Sequence, residues 1–441
     1  AWGEFVGAVA ASGRARGAYE FQYDQAWERG DRNLAPLLMP HGPGTGRTFV
    51  FPTSDYNDVT FKGLPPMLAD ALPDAFGNTL IDAALRARGL DRASAGITPL
   101  DRLAYMGHRT MGALTFEPAD DRPATPTALD LRALVDNTRQ ALRGELSSDD
   151  ATRHALVDLL QVGTSAGGAR PKAVIAWNRT SGEIRAGNLP VDEPGFEQWL
   201  LKFDGVDGGA LTMGEPLAFT RIERAYSLMA QQAGIAVPES TLLEENARSH
   251  FLIKRFDRHG DSRVHAQSLC GIAGYDFNLN PAAGGGNRYE DYFDTIVKLG
   301  LTSDDTLTEA FRRLVMNVLA ANNDDHTKNV GFLMDAAGTW SLAPAYDLTF
   351  AYDPSSVWLR QHLMSVRGKR DAITVRDLWE FADAYRVPDV AATIATVTEA
   401  VAAWPDFARQ AGVPSADIAR VQARLTDVAD AAGSGHSSPR R

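Results

Sequence analysis

Four residues separate Asp324 from Asn329 in the run Asn323–Asp324–Asp325–His326–Thr327–Lys328–Asn329, and Tyr346–Asp347 follows closely. A carboxylate and an amide at that spacing serve phosphoryl transfer, where the Asp orients an attacking hydroxyl and the Asn holds magnesium. Asp347 stands where a second metal-binding carboxylate is expected. Three hard oxygen ligands on two neighbouring segments suit Mg2+ beside a nucleotide. The alternative is a loop whose Asp and Asn residues cap adjacent elements. The Tyr-Asp pair beyond the loop tips the reading toward chemistry.

The flanking residues must place these groups. Leu314–Ala320 is apolar and helical in pattern. Val330–Met334 and Trp340–Leu342 read as two short strands joined by the turn Asp335–Gly338. The acid cluster therefore sits between a helix and a hairpin, with Asp347 just past the second strand.

A phosphate end is expected upstream. Gly163–Thr164–Ser165–Ala166–Gly167–Gly168–Ala169–Arg170–Pro171–Lys172 precedes an apolar strand. Glycines there let backbone N–H groups turn toward phosphate oxygens, and Arg170 and Lys172 add cations. It is no Walker A loop, because Gly-Lys-Ser/Thr and a following helix are missing. A plain surface turn is the other reading. Lys202 lies within Leu200–Leu201–Lys202–Phe203 and either meets nucleotide phosphates or keeps a sheet edge soluble. Lys254–Arg255–Phe256 ends another strand, as an adenine-reading linker or a solvated exit. The basic run 365–371 reads first as a solvated loop.

With 441 residues, two or three subdomains are expected. The net charge of −12 argues against unaided binding to nucleic acid. A single cysteine, Cys270, rules out intrachain disulfides and cysteine-based zinc sites, and fits a reducing compartment. No apolar run reaches the length of a membrane span, and no secretory leader is visible, so a cytoplasmic protein is expected. The opening residue is Ala1, which points to processing or trimming. The expected units are an N-terminal accessory subdomain over 1–125, a nucleotide-clamping mixed lobe over 126–260, a mainly helical catalytic lobe over 261–430 and a disordered tail over 431–441. Strands are expected at 5–9, 18–23, 48–51 and 111–118 in the first unit. In the clamping lobe they are expected at 173–177, 199–203, 240–243 and 251–256, with a helix over 220–233.

Taken together, the chain resembles the HipA-type serine/threonine protein kinases, the toxin halves of bacterial toxin–antitoxin pairs. The likeness rests most on Asp324–Asp325–His326–Thr327–Lys328–Asn329 with Ala345–Tyr346–Asp347–Leu348. It extends through Ser165–Lys172, Leu200–Lys202, Lys254–Arg258 and His265–Cys270, and more weakly through residues 61–66, 72–77, 98–103 and 111–114. The resemblance implies an α+β, two-lobed protein-kinase-like fold. It implies that Asp324 is the catalytic base, that Asn329 and Asp347 hold Mg2+, and that ATP is bound. Gly167, Gly168, Ala169, Arg170, Pro171, Lys172 and Lys202 would meet its phosphates. Lys254, Arg255 and Phe256 would line adenine, with His326, Lys328 and Tyr346 completing the site. Ser165 would be autophosphorylated, switching the kinase off. Pro171 stands where familiar members carry Glu, and Lys254 where they carry an acid. A helix-turn-helix antitoxin is the implied partner, with DNA reached only through it and no membrane involved. Aminoacyl-tRNA synthetases are the implied protein substrates. The competing functions are a non-catalytic antitoxin-binding corepressor and a kinase of a lipid or small molecule.

Overall fold

The computed structural model describes residues 1–53, 56, 58–73, 77–79, 81–82, 97–119, 129–143, 171–187, 194–207, 212–213, 218–260, 262–279 and 286–433. A five-stranded antiparallel sheet lies within residues 172–254, the stretch expected to clamp a nucleotide. Its strands run in the spatial order Ile184–Ala186, Lys172–Asn178, Phe196–Lys202, Arg248–Lys254 and Ser240–Glu245. Side chains alternate between its faces. Ala173, Ile175, Trp199, Leu201 and Leu252 pack with Leu134 and Val135 of the helix Leu131–Arg143. The opposite face carries Lys172, Leu200, Lys202 and Ile253. Lys172 is directly opposite Lys202 in the strand register. The helix Phe219–Gln232 packs against the last two strands.

The C-terminal helical part, which includes the loop 323–329, is built around one large apolar core. The helices Tyr289–Lys298, Asp304–Leu319, Val375–Ala384, Val390–Ala402, Trp404–Gln410 and Ser415–Gly433 all contribute to it. Ser303 caps Asp304–Leu319 by accepting from Thr306 N–H, and Asp304 and Asp305 complement the dipole of its first turn. The Tyr226 hydroxyl donates to Ala320 O at 2.6 Å, so the end of that helix is fastened to Phe219–Gln232.

The N-terminal unit has a three-stranded antiparallel sheet, Gly7–Ala11, Tyr19–Tyr23 and Thr48–Val50. Its core of Phe21, Trp27, Phe49 and Phe61 extends to Cys270 and Met334 of the C-terminal part. A buried ion network closes the same boundary. Asp257 is fully buried between Arg255 and Arg258 and accepts from Gly112 N at 2.7 Å. Arg258 donates in turn to Thr110 O and Gly112 O. Gly112 has φ +76°, and a Cβ there would lie 2.8 Å from Ala266 N, so only glycine fits this junction.

Three expectations need correction. Residues 111–118 form bends and no strand, because the backbone around Thr110 and Gly112 serves the Asp257 network instead of a ladder. His265–Ser268, expected in helical surroundings, is a strand paired with Gly331–Met334, which pairs on to Trp340–Leu342. Its short polar sequence hides the period-two signal. The last helix runs on to Gly433, three residues into the segment expected as tail, and residues 434–441 lie outside the described ones.

Candidate active site

The helix Asp304–Leu319 delivers the chain into a loop held from several sides. Asn322 Nδ2 donates to Asn317 Oδ1 at 2.9 Å, and Asn323 Nδ2 donates to Leu359 O at 2.9 Å. The two consecutive aspartates then part company. Asp325 is buried and accepts from Tyr289 OH at 2.8 Å, Leu363 N at 2.7 Å and Met364 N at 3.3 Å. Its other neighbour is His362 Nδ1 at 2.9 Å. Asp324 points the other way, and its side chain is 45% exposed. Of the two carboxylates Asp324 is the exposed one, since Asp325 is consumed in anchoring the loop.

His326 Nε2 lies 3.7 Å from Asp324 Oδ1, with its ring against Phe277. Thr327–Asn329 forms a single 3-10 turn, and Thr327 Oγ1 donates to Tyr275 O at 2.7 Å. Asn329 Nδ2 donates to the Asp324 carbonyl at 2.8 Å. That bond commits the amide nitrogen within the loop and leaves the oxygen end as the hard ligand a cation would take.

Past the hairpin, the Tyr346 hydroxyl donates to Lys328 O at 2.8 Å, tying the second segment to the first. Asp347 follows with φ +54°, a left-handed conformation that Asp tolerates better than most residues but that still carries strain. Its carboxylate accepts from Lys202 Nζ, and the same ammonium donates to Glu223 Oε1. Lys202 and Glu223 have side chains only 10% and 5% exposed. Burial alone would push the Asp347 carboxyl up, but Lys202 and then Lys172 hold it well below the usual carboxylate range. Burial would likewise depress Lys202, yet Asp347 and Glu223 hold it well above the usual lysine value. Glu223 is the residue that sequence reasoning passed over. The available signal was its place on the buried stripe of Phe219–Gln232, beside Ile222 and Tyr226, where a carboxylate persists only if paired.

Lys328, Asn329, Tyr346 and Asp347 line one cleft, while Asp324, His326, Lys202 and Glu223 are not among its lining residues. Leu200, Ile253, Phe256 and Tyr346 form its apolar part. The Phe256 and Tyr346 rings stack with centroids 5.8 Å apart, a surface suited to a planar base. Lys172, Lys328, Asn329 and Asp347 are among its polar lining. Lys172 and Lys202 set two like charges opposite each other, an arrangement that costs stability unless anions lie between or beside them. Asp347 is one such anion, and phosphate oxygens would be others.

Lys254 and Arg255 line the cleft, and their charges are paired away from it. The Lys254 ammonium pairs with Glu197, and the Arg255 guanidinium with Asp257. The N–H groups of Lys254 and Arg255 donate to Glu239 O and Gln198 O within the sheet. Of this linker, Phe256 alone offers a ring to a ligand. Pro171 is buried and accepts from Phe203 N at 3.4 Å, so its carbonyl serves the sheet. Ser165, Gly167, Gly168, Ala169 and Arg170 lie outside the described residues. Among the described residues no group of three or more His, Cys, Asp or Glu could hold a metal alone. Asn329 with Asp347 fits a magnesium ion that completes its shell with phosphate oxygens and water.

Comparison with known proteins bears on this site. The family profile of the HipA N-terminal domain matches residues 1–117, and that of the HipA-like C-terminal domain matches residues 164–405. A Sinorhizobium fredii protein described as "Putative kinase Y4dM" is 26% identical over 296 residues, covering 63% of this chain and 62% of that protein. A Haemophilus influenzae protein likewise described is 29% identical over 135 residues, 28% of this chain and 39% of its own length. The chain thus spans less than two thirds of either relative. A solved complex of HipA, HipB and operator DNA from the Shewanella oneidensis toxin–antitoxin system superposes with a TM-score of 0.65 at 17% identity. That match covers 97% of this chain and 95% of the solved one, and it gives the same fold.

Proposed function

This chain belongs to the HipA family, and from that premise we propose that it is an ATP- and Mg-dependent serine/threonine protein kinase acting as a toxin. The observation that carries the reading is the buried chain Glu223–Lys202–Asp347, which ends in the cleft that Asn329 also lines. Kinases require a strand lysine paired with a helix glutamate, and a metal-holding aspartate beside them.

Asn329 and Asp347 would hold the magnesium, which supplies charge neutralisation at the phosphates when bound. Asp324 accepts the hydrogen bond of the acceptor hydroxyl and takes its proton. The hydroxyl oxygen forms a bond to the γ-phosphorus, the bond from that phosphorus to the β–γ bridging oxygen breaks, and ADP leaves with the bonding pair. Lys202 and Lys172 balance the negative charge of the transferring group. Most of the acceleration comes from positioning and electrostatics.

The partner would be a helix-turn-helix antitoxin, as the family resemblance implies, with DNA contacted through it; the solved complex joins HipA to HipB and operator DNA. Among the described residues no helix is long and apolar enough to cross a membrane, and we place the protein in the cytoplasm. The substrate class implied by the family is an aminoacyl-tRNA synthetase. Ser165 is the expected self-modification site, where a phosphate dianion would compete with ATP for the loop's cations.

The test is incubation of the purified chain, alone and in cell lysate, with radiolabelled ATP and Mg2+. We expect one dominant labelled protein and, in the chain itself, label mapping to Ser165. Label appearing only in lipid or small metabolites would replace the protein-kinase reading. Transfer without label at Ser165 would discard the self-inactivation.

A further inference from the structure

The cleft has a wall that the kinase lobes do not supply. Met67, Asp70 and Ala71, from the helix Pro66–Ala69 and its exit, line it together with Met111 and Leu114. All five belong to the N-terminal unit. Asp70 is the charged one, with a side chain only 11% exposed.

The Asp70 carboxylate is held rigidly. Oδ2 accepts from Ser268 N at 2.7 Å, and Oδ1 accepts from Ser268 Oγ at 2.6 Å. The helix Leu269–Ala273 makes room for it at Gly271, where a Cβ would lie 2.6 Å from Oδ2. From this anchored position Oδ1 lies 3.9 Å from Lys328 Nζ. Lys328 also lies over the Phe277 ring at 5.1 Å and lines the same cleft next to Asn329. A lysine ammonium is a point charge on a flexible stem, with no directional fork of its own to fix it.

Resting on the nucleotide-site reading above, we propose that Asp70 is a positioning residue of that site, holding the Lys328 ammonium at the cleft wall so that it is preorganised for a nucleotide phosphate. The N-terminal unit then contributes directly to nucleotide affinity. Ordering the lysine beforehand removes an entropic cost from the binding step.

A double-mutant cycle on the full chain tests this, with ATP dissociation constants measured by calorimetric titration and unfolding midpoints recorded alongside. Asp70→Asn keeps an oxygen for Ser268 N–H and removes the charge, and Lys328→Met removes the ammonium. Each single variant is expected to bind ATP about five- to tenfold more weakly, and the double variant no more weakly than Lys328→Met alone. Unchanged affinity in Asp70→Asn, even with a lowered unfolding midpoint, would reduce Asp70 to a stitch between units and overturn the proposal. So would an Asp70→Asn factor that persists undiminished in the Lys328→Met background. Wild-type protein that binds no ATP would instead sink the nucleotide-site reading itself, and this inference with it.

Discussion

Asp324→Ala is expected to lower phosphoryl transfer by about 10²- to 10⁴-fold, the usual contribution of a positioned acid or base, leaving ATP affinity nearly unchanged. Thermal stability should move by no more than about 0.5 kcal/mol, because the side chain is well exposed. The neighbouring position makes the control. Asp325→Ala empties a buried anchor and leaves Tyr289 OH and the Leu363 N–H without their acceptor. That variant should lose about 3 kcal/mol or more of stability, the range for breaking a buried hydrogen-bonded charge network. Single-turnover transfer with labelled ATP and thermal unfolding, run on both variants, separate the roles. Equal transfer by Asp324→Ala and wild type would remove Asp324 from the chemistry.

The second large effect is expected at Lys202. Its ammonium is bonded to both Glu223 and Asp347, so Lys202→Met removes one cation from two largely buried carboxylates. Removing one partner of a buried ion pair costs about 3–5 kcal/mol. Transfer should fall about 10²- to 10³-fold as well, the cost of losing one preorganised charge at a developing anion. The pH dependence has a definite sign. In the wild type, Asp347 titrates below its ordinary value of 3.8, so its contribution is present above that value and is lost as pH falls through its depressed folded value. Lys202 titrates above its ordinary 10.5, so its contribution is complete below that value and is lost as pH rises through the raised one. Between those limits the pair contributes steadily. Lys202→Met removes the first of the cations that depress Asp347 and leaves Lys172, so the variant's deficit should hold steady above the ordinary value of 3.8 and shrink as pH falls below it. Urea denaturation at about pH 7 and about pH 3 checks this, and a difference from wild type that is the same at both would contradict it.

The loop 323–329 was legible as a candidate site because polar residues at fixed offsets on a loop leave a signature that burial does not erase. Asp324, Asn329 and Asp347 could be named from spacing and the following hairpin, and the structure places Asn329 and Asp347 on one cleft. The clamp strands were legible too, since Lys172–Asn178 and Arg248–Lys254 are largely buried and read as apolar runs. Glu223 was hidden because a charge inside a helical pattern is read as solvated unless its partner is known, and Lys202 lies 21 residues away in another element. Asp70 was hidden for the same reason at longer range, since its partner Ser268 is 198 residues distant. Lys254 and Arg255 were expected as a linker whose backbone reads adenine; both line the cleft, and what the sequence does not show is that their charges pair with Glu197 and Asp257. Residues 111–118 alternate enough to resemble a strand, and tertiary demand for their backbone groups at the Asp257 network overrode it.

The most direct measurement is a crystal structure of the chain with a non-hydrolysable ATP analogue and Mn2+ in place of Mg2+, the metal located by its anomalous scattering. The metal should be ligated by Asn329 Oδ1 and the Asp347 carboxylate, with the base against Phe256 and Tyr346 and the terminal phosphate facing Asp324. A metal bound away from both Asn329 and Asp347, or a nucleotide bound outside this cleft, would contradict the account.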